Sequence, residues 1–191
     1  LIGIVVLAIG MAFLLSLPFA SLPAAAPSLA GYFVCAVIFF LAKVSARSFE
    51  DISKYLRGAG MLLLFFATWR LFDFGAVPAL EVTSLFGRIL LVAAVAINLV
   101  LAWRRSSPVL FLIAILTGLT AALLMETGWL LILSVTALVL ITAIVQVKRN
   151  WRAMTPVVFA LSMITYVLWV IGNPLVGEIK AINSAFYPIL W

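Results

Sequence analysis

Apolar residues in this chain fill long, nearly unbroken runs, and short polar connections separate one run from the next. An α-helix rises about 1.5 Å per residue, so roughly 20 apolar residues cross the hydrocarbon core of a bilayer. Runs of that kind occupy residues 1–20, 27–43, 56–74, 83–103, 108–125, 128–147 and 153–172. They predict an all-α, polytopic membrane bundle of about seven transmembrane helices in a single domain, 1–191. Proline and glycine punctuate most of the boundaries: Pro18, Pro23 and Pro27 after the first run, Gly75 and Pro78 after the third, Gly172 and Pro174 after the last.

Two further stretches have the pattern of short interfacial amphipathic helices. In 48–57, Ser48 and Asp51 stand at N-cap and N3 spacing, with Phe49, Ile52 and Leu56 on one face. In 175–191, Leu175, Ile179, Ile182 and Phe186 recur at helical spacing, with Glu178, Lys180, Asn183 and Ser184 elsewhere on the wheel. The alternative for this second stretch is the start of another span. The first run ends before Ala24, Ala25 and Ala26, which resemble a signal-peptidase site. The run is long and no basic segment precedes it, so an uncleaved first span is expected.

Composition agrees with lipid as the solvent. Apolar residues make up 67% of the chain and charged ones 9%, against about 25% charged in soluble domains; mean hydropathy is +1.34. The formal charge of +6 does not point to nucleic acid, because the basic residues sit in pairs and short clusters between apolar runs. A single cysteine, Cys35, permits no intrachain disulfide and no cysteine metal cluster. With no histidine, imidazole is unavailable as a metal ligand or general base. No metal site and no cofactor are expected.

Basic residues also set the orientation, since short loops rich in Lys and Arg stay on the cytoplasmic side. Lys43, Arg47, Lys54, Arg57, Arg104, Arg105, Lys148, Arg149 and Arg152, nine of the twelve, fall on one side. The opposite loops carry Arg70, Arg88 and Lys180 with Asp73, Glu81, Glu126 and Glu178. Seven spans then put the N-terminus in the cytoplasm. Trp69, Trp103, Trp129 and Trp151 lie near span ends, as an aromatic belt requires. Tyr166 and Trp169 fall inside the last span, where the alternatives are bundle packing and a cavity lining.

Ionisable residues are costly in hydrocarbon and therefore mark candidate sites. Arg70 and Asp73 are three apart on the third span, and Glu81 and Arg88 flank the start of the fourth, so all four gather near the outer leaflet. Such a group forms either a pocket for a lipid headgroup or small solute, or a set of snorkelling charges that pair locally. Asn98, near the middle of the fourth span, needs a partner on a neighbouring helix and reads as helix-packing glue. Thr117, Thr120, Ser134, Thr136, Thr142, Ser162 and Thr165 can bond their own helix carbonyls, and Gly58, Gly60, Gly118 and Ala122 permit close helix approach. There is no phosphate-binding glycine loop, zinc-protease pattern or nucleophile elbow.

Several stretches carry a family likeness: Ile2 to Phe13 in the first run, Leu56-Arg57-Gly58-Ala59-Gly60 with the aromatic-rich run to Phe74, Leu101 to Ser107 leading to Leu116-Thr117-Gly118, and Asn150-Trp151-Arg152 with Thr165 to Trp169. In these the chain resembles a bacterial family of multi-spanning membrane proteins known as domain of unknown function 2339. The resemblance covers most of the chain and implies a short member or an amino-terminal portion, in the bacterial inner (plasma) membrane, with no established activity. Thr117, Gly118 and Ala121 depart from the paired glycines and following proline typical of that family.

Three functions fit the sequence. The first is a non-enzymatic protein, transporter-like or lipid-handling, with Arg70, Asp73, Glu81 and Arg88 as an outward polar pocket. The second is a structural or interaction module with a membrane-protein partner or a second copy. The third is an enzyme on a lipid-linked substrate using Asp73, Glu81 or Glu126, disfavoured by the scarcity of carboxylates and the lack of histidine.

Overall fold

In the computed structural model, the described residues are 10, 26–73, 84–124, 128–151 and 153–171, with the side chain of Asp73 excluded. They contain six α-helices and no strand: α1 (Ala26–Ser45), α2 (Glu50–Asp73), α3 (Leu85–Arg105), α4 (Pro108–Leu124), α5 (Gly128–Arg149) and α6 (Met154–Ile171). These helices coincide with the second to seventh predicted spans. The first predicted span, apart from Gly10, and the amphipathic stretch 175–191 lie outside the described residues.

Four of the six, α1, α3, α5 and α6, are long and apolar enough to cross a membrane. α4 is equally apolar but has only 17 residues, about 26 Å of helix. α2 has ample length at 24 residues and is too polar to qualify. It also corrects the expected interfacial helix at 48–57, because Glu50–Arg57 forms the first two turns of α2 itself. Phe49, not Ser48, accepts the first helical bond, from the Ser53 amide at 3.0 Å. Glu50 and Asp51 occupy the first turn, where the helix dipole favours acids. There Glu50 pairs with Lys54 at 3.0 Å and raises the pKa of its ammonium.

The chain divides into two units, Leu1–Thr117 and Gly118–Trp191. In the first, α1 and α2 form an antiparallel hairpin. The buried face of α1 is Ser28, Gly31, Cys35, Ile38 and Ala42, a strict three–four alternation of mostly small residues. That spacing lets two helices approach closely at a shallow crossing angle. α2 answers with two glycines. A Cβ on Gly60 would lie 3.0 Å from the Phe39 ring of α1, and one on Gly58 would lie 3.0 Å from Ile113 Cδ1 of α4. Two residues along a helix turn through about 200°, so the glycines admit neighbours on opposite sides of α2. α3 uses Gly87, Leu91, Ala94, Asn98 and Ala102 as its buried stripe.

In the second unit α5 and α6 pack against each other; the buried residues are Leu131, Leu138, Thr142 and Val145 on α5 and Val158, Ser162 and Thr165 on α6. The outward faces are apolar, with Leu133, Leu140 and Val147 of α5 and Phe159, Ile164 and Ile171 of α6 all exposed. Tyr166 is exposed as well, and its ring leans on Trp169 at 6.4 Å on the same helix. Trp169 itself is half-buried.

The approach to α4 is repeated ahead of α6. Trp103, Arg104, Pro108, Val109, Phe111 and Thr117 recur in the same spacing as Trp151, Arg152, Pro156, Val157, Phe159 and Thr165. Leu110, Ala114 and Thr117, buried on α4, correspond to Val158, Ser162 and Thr165, buried on α6. The preceding helices also end alike. Ser106 and Asn150, each following a basic pair, adopt positive φ of 50° and 55°. The Ser106 amide caps the Trp103 carbonyl and the Asn150 amide caps that of Gln146.

Candidate functional site

Hydrogen bonds between helices concentrate on α2. From α1, the Tyr32 hydroxyl donates to Thr68 Oγ1 at 3.0 Å, and the Cys35 thiol donates to the Gly60 carbonyl at 3.2 Å. From α2, the Ser53 hydroxyl donates to the Ala42 carbonyl at the turn between the helices. From α3, the Asn98 amide donates to the Met61 carbonyl at 3.1 Å and to Thr117 Oγ1 of α4 at 3.4 Å. Thr117 in turn donates to the Ala114 carbonyl. Asn98 is fully buried, and its one side chain joins three helices.

The orientation of that amide follows from its partners. The Met61 carbonyl only accepts, so nitrogen must face it. Both N–H bonds are then used, and Oδ1 is left buried without a partner among the described residues. An orphan acceptor of this kind costs about 1–3 kcal/mol. It offsets much of what the two donated bonds contribute.

The four predicted site residues divide. Arg70 lies in the last two turns of α2 and is 6% exposed; Arg88 lies in the first turn of α3, half-buried, with Nε enclosed and unpartnered among the described residues. Ser84 caps α3 ahead of it, accepting from the Gly87 amide at 3.1 Å. The link from Met61 to Asn98, with Arg57 and Arg105 within electrostatic reach of each other, makes α2 and α3 antiparallel. Arg70 is therefore about 14 Å along α2 from the Asn98 level, and Arg88 about 15 Å along α3 in the same direction. Both arginines reach the same end. Asp73 terminates α2 at that end, but its side chain, like Glu81 and Glu126, lies outside the described residues.

Sequence reasoning missed Tyr32, Cys35 and Ser53 as bridges to or from α2. The signal was present in the three–four alternation of small residues along α1, since only a closely approached neighbour makes use of it. It also grouped Thr117 with hydroxyls bonded to their own helix, although Thr117 additionally receives Asn98. Among the described residues no three acids, cysteines or histidines gather in a way that could hold a metal.

Comparison with known protein families, with curated proteins and with solved structures finds no match.

Proposed function

We propose that this chain is a non-enzymatic, multi-pass protein of a bacterial inner membrane that binds a lipid headgroup or small polar solute at the Arg70–Arg88 end. The N-terminus is cytoplasmic in this arrangement, that end faces outward, and about seven helices span, α2 and α4 among them. Kinship with the domain of unknown function 2339 family belongs to the same proposal.

The observation that carries it is the burial of Arg70. A guanidinium in a bilayer ordinarily snorkels to water along its own stem. Arg70 is instead held inside the protein, on the helix to which its neighbours are bonded, with Arg88 brought to the same level. Two bases there, with two acids close in sequence, suit a zwitterion: phosphate for the arginines and an ammonium for Asp73 and Glu81.

The test uses phosphoethanolamine as a soluble headgroup mimic. Millimolar additions raise the unfolding midpoint of the purified protein, and Arg70→Gln and Arg88→Gln abolish the rise while retaining helical circular dichroism. A wild-type protein indifferent to phosphoethanolamine, or variants that respond as it does, overturns the proposal.

A further inference from the structure

Ahead of its terminal Arg104 and Arg105, α3 carries a single charged side chain, Arg88. The Ser84 cap starts the helix at Leu85, so Arg88 stands about one turn inside it. The residue is half-buried, and Nε, the guanidinium nitrogen next to the stem, is enclosed without a hydrogen-bond partner among the described residues. Arg88 is thus held at its neck, which leaves the forked end as the part that a ligand outside the bundle can reach. Among the described residues it forms no ion pair. The helix dipole favours an anion at this end, yet the side chain there is a cation. An anion against the fork of Arg88 answers both.

The residues that follow Arg88 along the helix surface narrow the kind of anion. Residues four apart are neighbours on a helix, so Arg88, Val92, Ala96 and Val100 form one row. Val92, Ala96 and Val100 are exposed, as are Ile89, Ala93 and Ile97 in the adjoining row. These six lie away from the buried stripe of Gly87, Leu91, Ala94, Asn98 and Ala102, and Arg88 stands at its border. Ala93 and Ala96 sit between the larger Ile89, Val92, Ile97 and Val100, so the surface is lowest in the middle. From Arg88 to Val100 the row runs about 18 Å, and half of a ~30 Å hydrocarbon core is about 15 Å. α3 is itself long and apolar enough to cross a membrane. A free polar solute makes no use of such a row, whereas one chain of a lipid matches it in length and chemistry.

We infer that the ligand at the Arg70–Arg88 end is an intact phospholipid, with its phosphate at Arg88 and one acyl chain along Val92, Ala96 and Val100. This rests on the headgroup reading proposed above and removes the free solute from it. The guanidinium presents a planar fork of donors that matches phosphate oxygens. Lipid tails cover any apolar surface, so the row by itself selects nothing. Selection comes from tethering: a chain whose own phosphate is held at Arg88 meets the row at high effective concentration.

Native mass spectrometry of the full chain in detergent, titrated with phosphatidylethanolamine, tests it beside the phosphoethanolamine measurement on wild type. Wild type retains the lipid. Ala96→Phe fills the low middle of the row and lowers apparent affinity about tenfold, the loss of cover over roughly two methylenes, while its helical circular dichroism is kept. Arg88→Gln lowers affinity about fivefold, as loss of one basic contact implies. Ala143→Phe, an equal enlargement at an exposed position of α5, changes affinity less than about twofold. If Ala96→Phe retains phosphatidylethanolamine as wild type does while phosphoethanolamine still stabilises wild type, the acyl row is overturned and the headgroup reading stands for a free solute. If wild type is indifferent to phosphoethanolamine, the headgroup reading falls and the row with it. A loss in Ala143→Phe as large as in Ala96→Phe also overturns the row, because any enlarged apolar face would then shed lipid.

Discussion

In α1–α2 and in α5–α6 two helices consecutive in sequence pack together, yet polar groups do different work in the two pairs. Along α1 and α2, hydroxyl, thiol and carbonyl groups bond across the interface, as in Tyr32 to Thr68 and Cys35 to Gly60. Along α5 and α6, Thr142, Ser162 and Thr165 are just as buried, but each donates to a carbonyl of its own helix, those of Leu138, Val158 and Leu161. Such groups are satisfied before the helices meet. The first arrangement fixes which helix packs where; the second leaves association to shape and dispersion. α3 extends the first arrangement, carrying Asn98 to both α2 and α4.

The sharpest way to break this contrast is Asn98→Asp. A carboxylate would lose both donated bonds and face the Met61 carbonyl in a fully buried position. The variant is expected to be destabilised by about 3 kcal/mol, the scale for an acid at the middle of a spanning helix. Unfolding in mixed micelles with increasing sodium dodecyl sulfate measures this, and a loss under about 1 kcal/mol would mean that Asn98 reaches water.

Next in size is Gly60→Val. Three atoms of the Phe39 ring lie within 3.3 Å of where its Cβ would stand, and overpacking of this kind costs about 1–3 kcal/mol. The matching change at Gly58 meets only the flexible ends of side chains, Ile113 Cδ1 at 3.0 Å and Leu110 Cδ2 at 3.6 Å, and should cost less. Equal losses at both positions would contradict the asymmetric packing of α2.

The smallest effects separate the two pairs directly. Tyr32→Phe removes a bond between helices and should cost about 0.6 kcal/mol, the average measured for such bonds in a membrane. Thr165→Val removes only a bond within a helix and should stay within about 0.5 kcal/mol of wild type, of either sign. If Thr165→Val were the more damaging of the two, the division between cross-helix and own-helix bonding would fail.

Much of this fold is legible in the residues. Long apolar runs locate α1 and α3 to α6 because a spanning helix must satisfy its own backbone, and Pro108 and Gly128 mark starts that the structure reproduces. The first turns of α2 were misread. Phe49, Ile52 and Leu56 do have amphipathic spacing, but Ser53, four residues from Phe49 and three from Leu56 and so at the edge of that same face, is buried and bonds the Ala42 carbonyl at the end of α1, which ties the segment to the hairpin. At the Arg70–Arg88 end, sequence position brings the two arginines near each other. It does not reveal which helix is enclosed by its neighbours, since that depends on the small residues of other helices. The repeat shared by α4 and α6 was also present in the sequence, and its outcome shows the limit of local pattern: Phe111 is 1% exposed and Phe159 is 55% exposed.

The enclosure of α2 bears finally on biogenesis. A segment carrying Arg57, Arg70 and Asp73 partitions poorly from the translocation channel into lipid by itself. α1 precedes it by one tight turn, with a ready-made row of small residues and with Tyr32 and Cys35 as partners. The nascent chain therefore delivers the companion before the helix that depends on it. In the proposed arrangement, in which α2 spans, its release into the bilayer is a pairwise event, and lengthening the 46–49 turn would slow its insertion before it altered the finished protein.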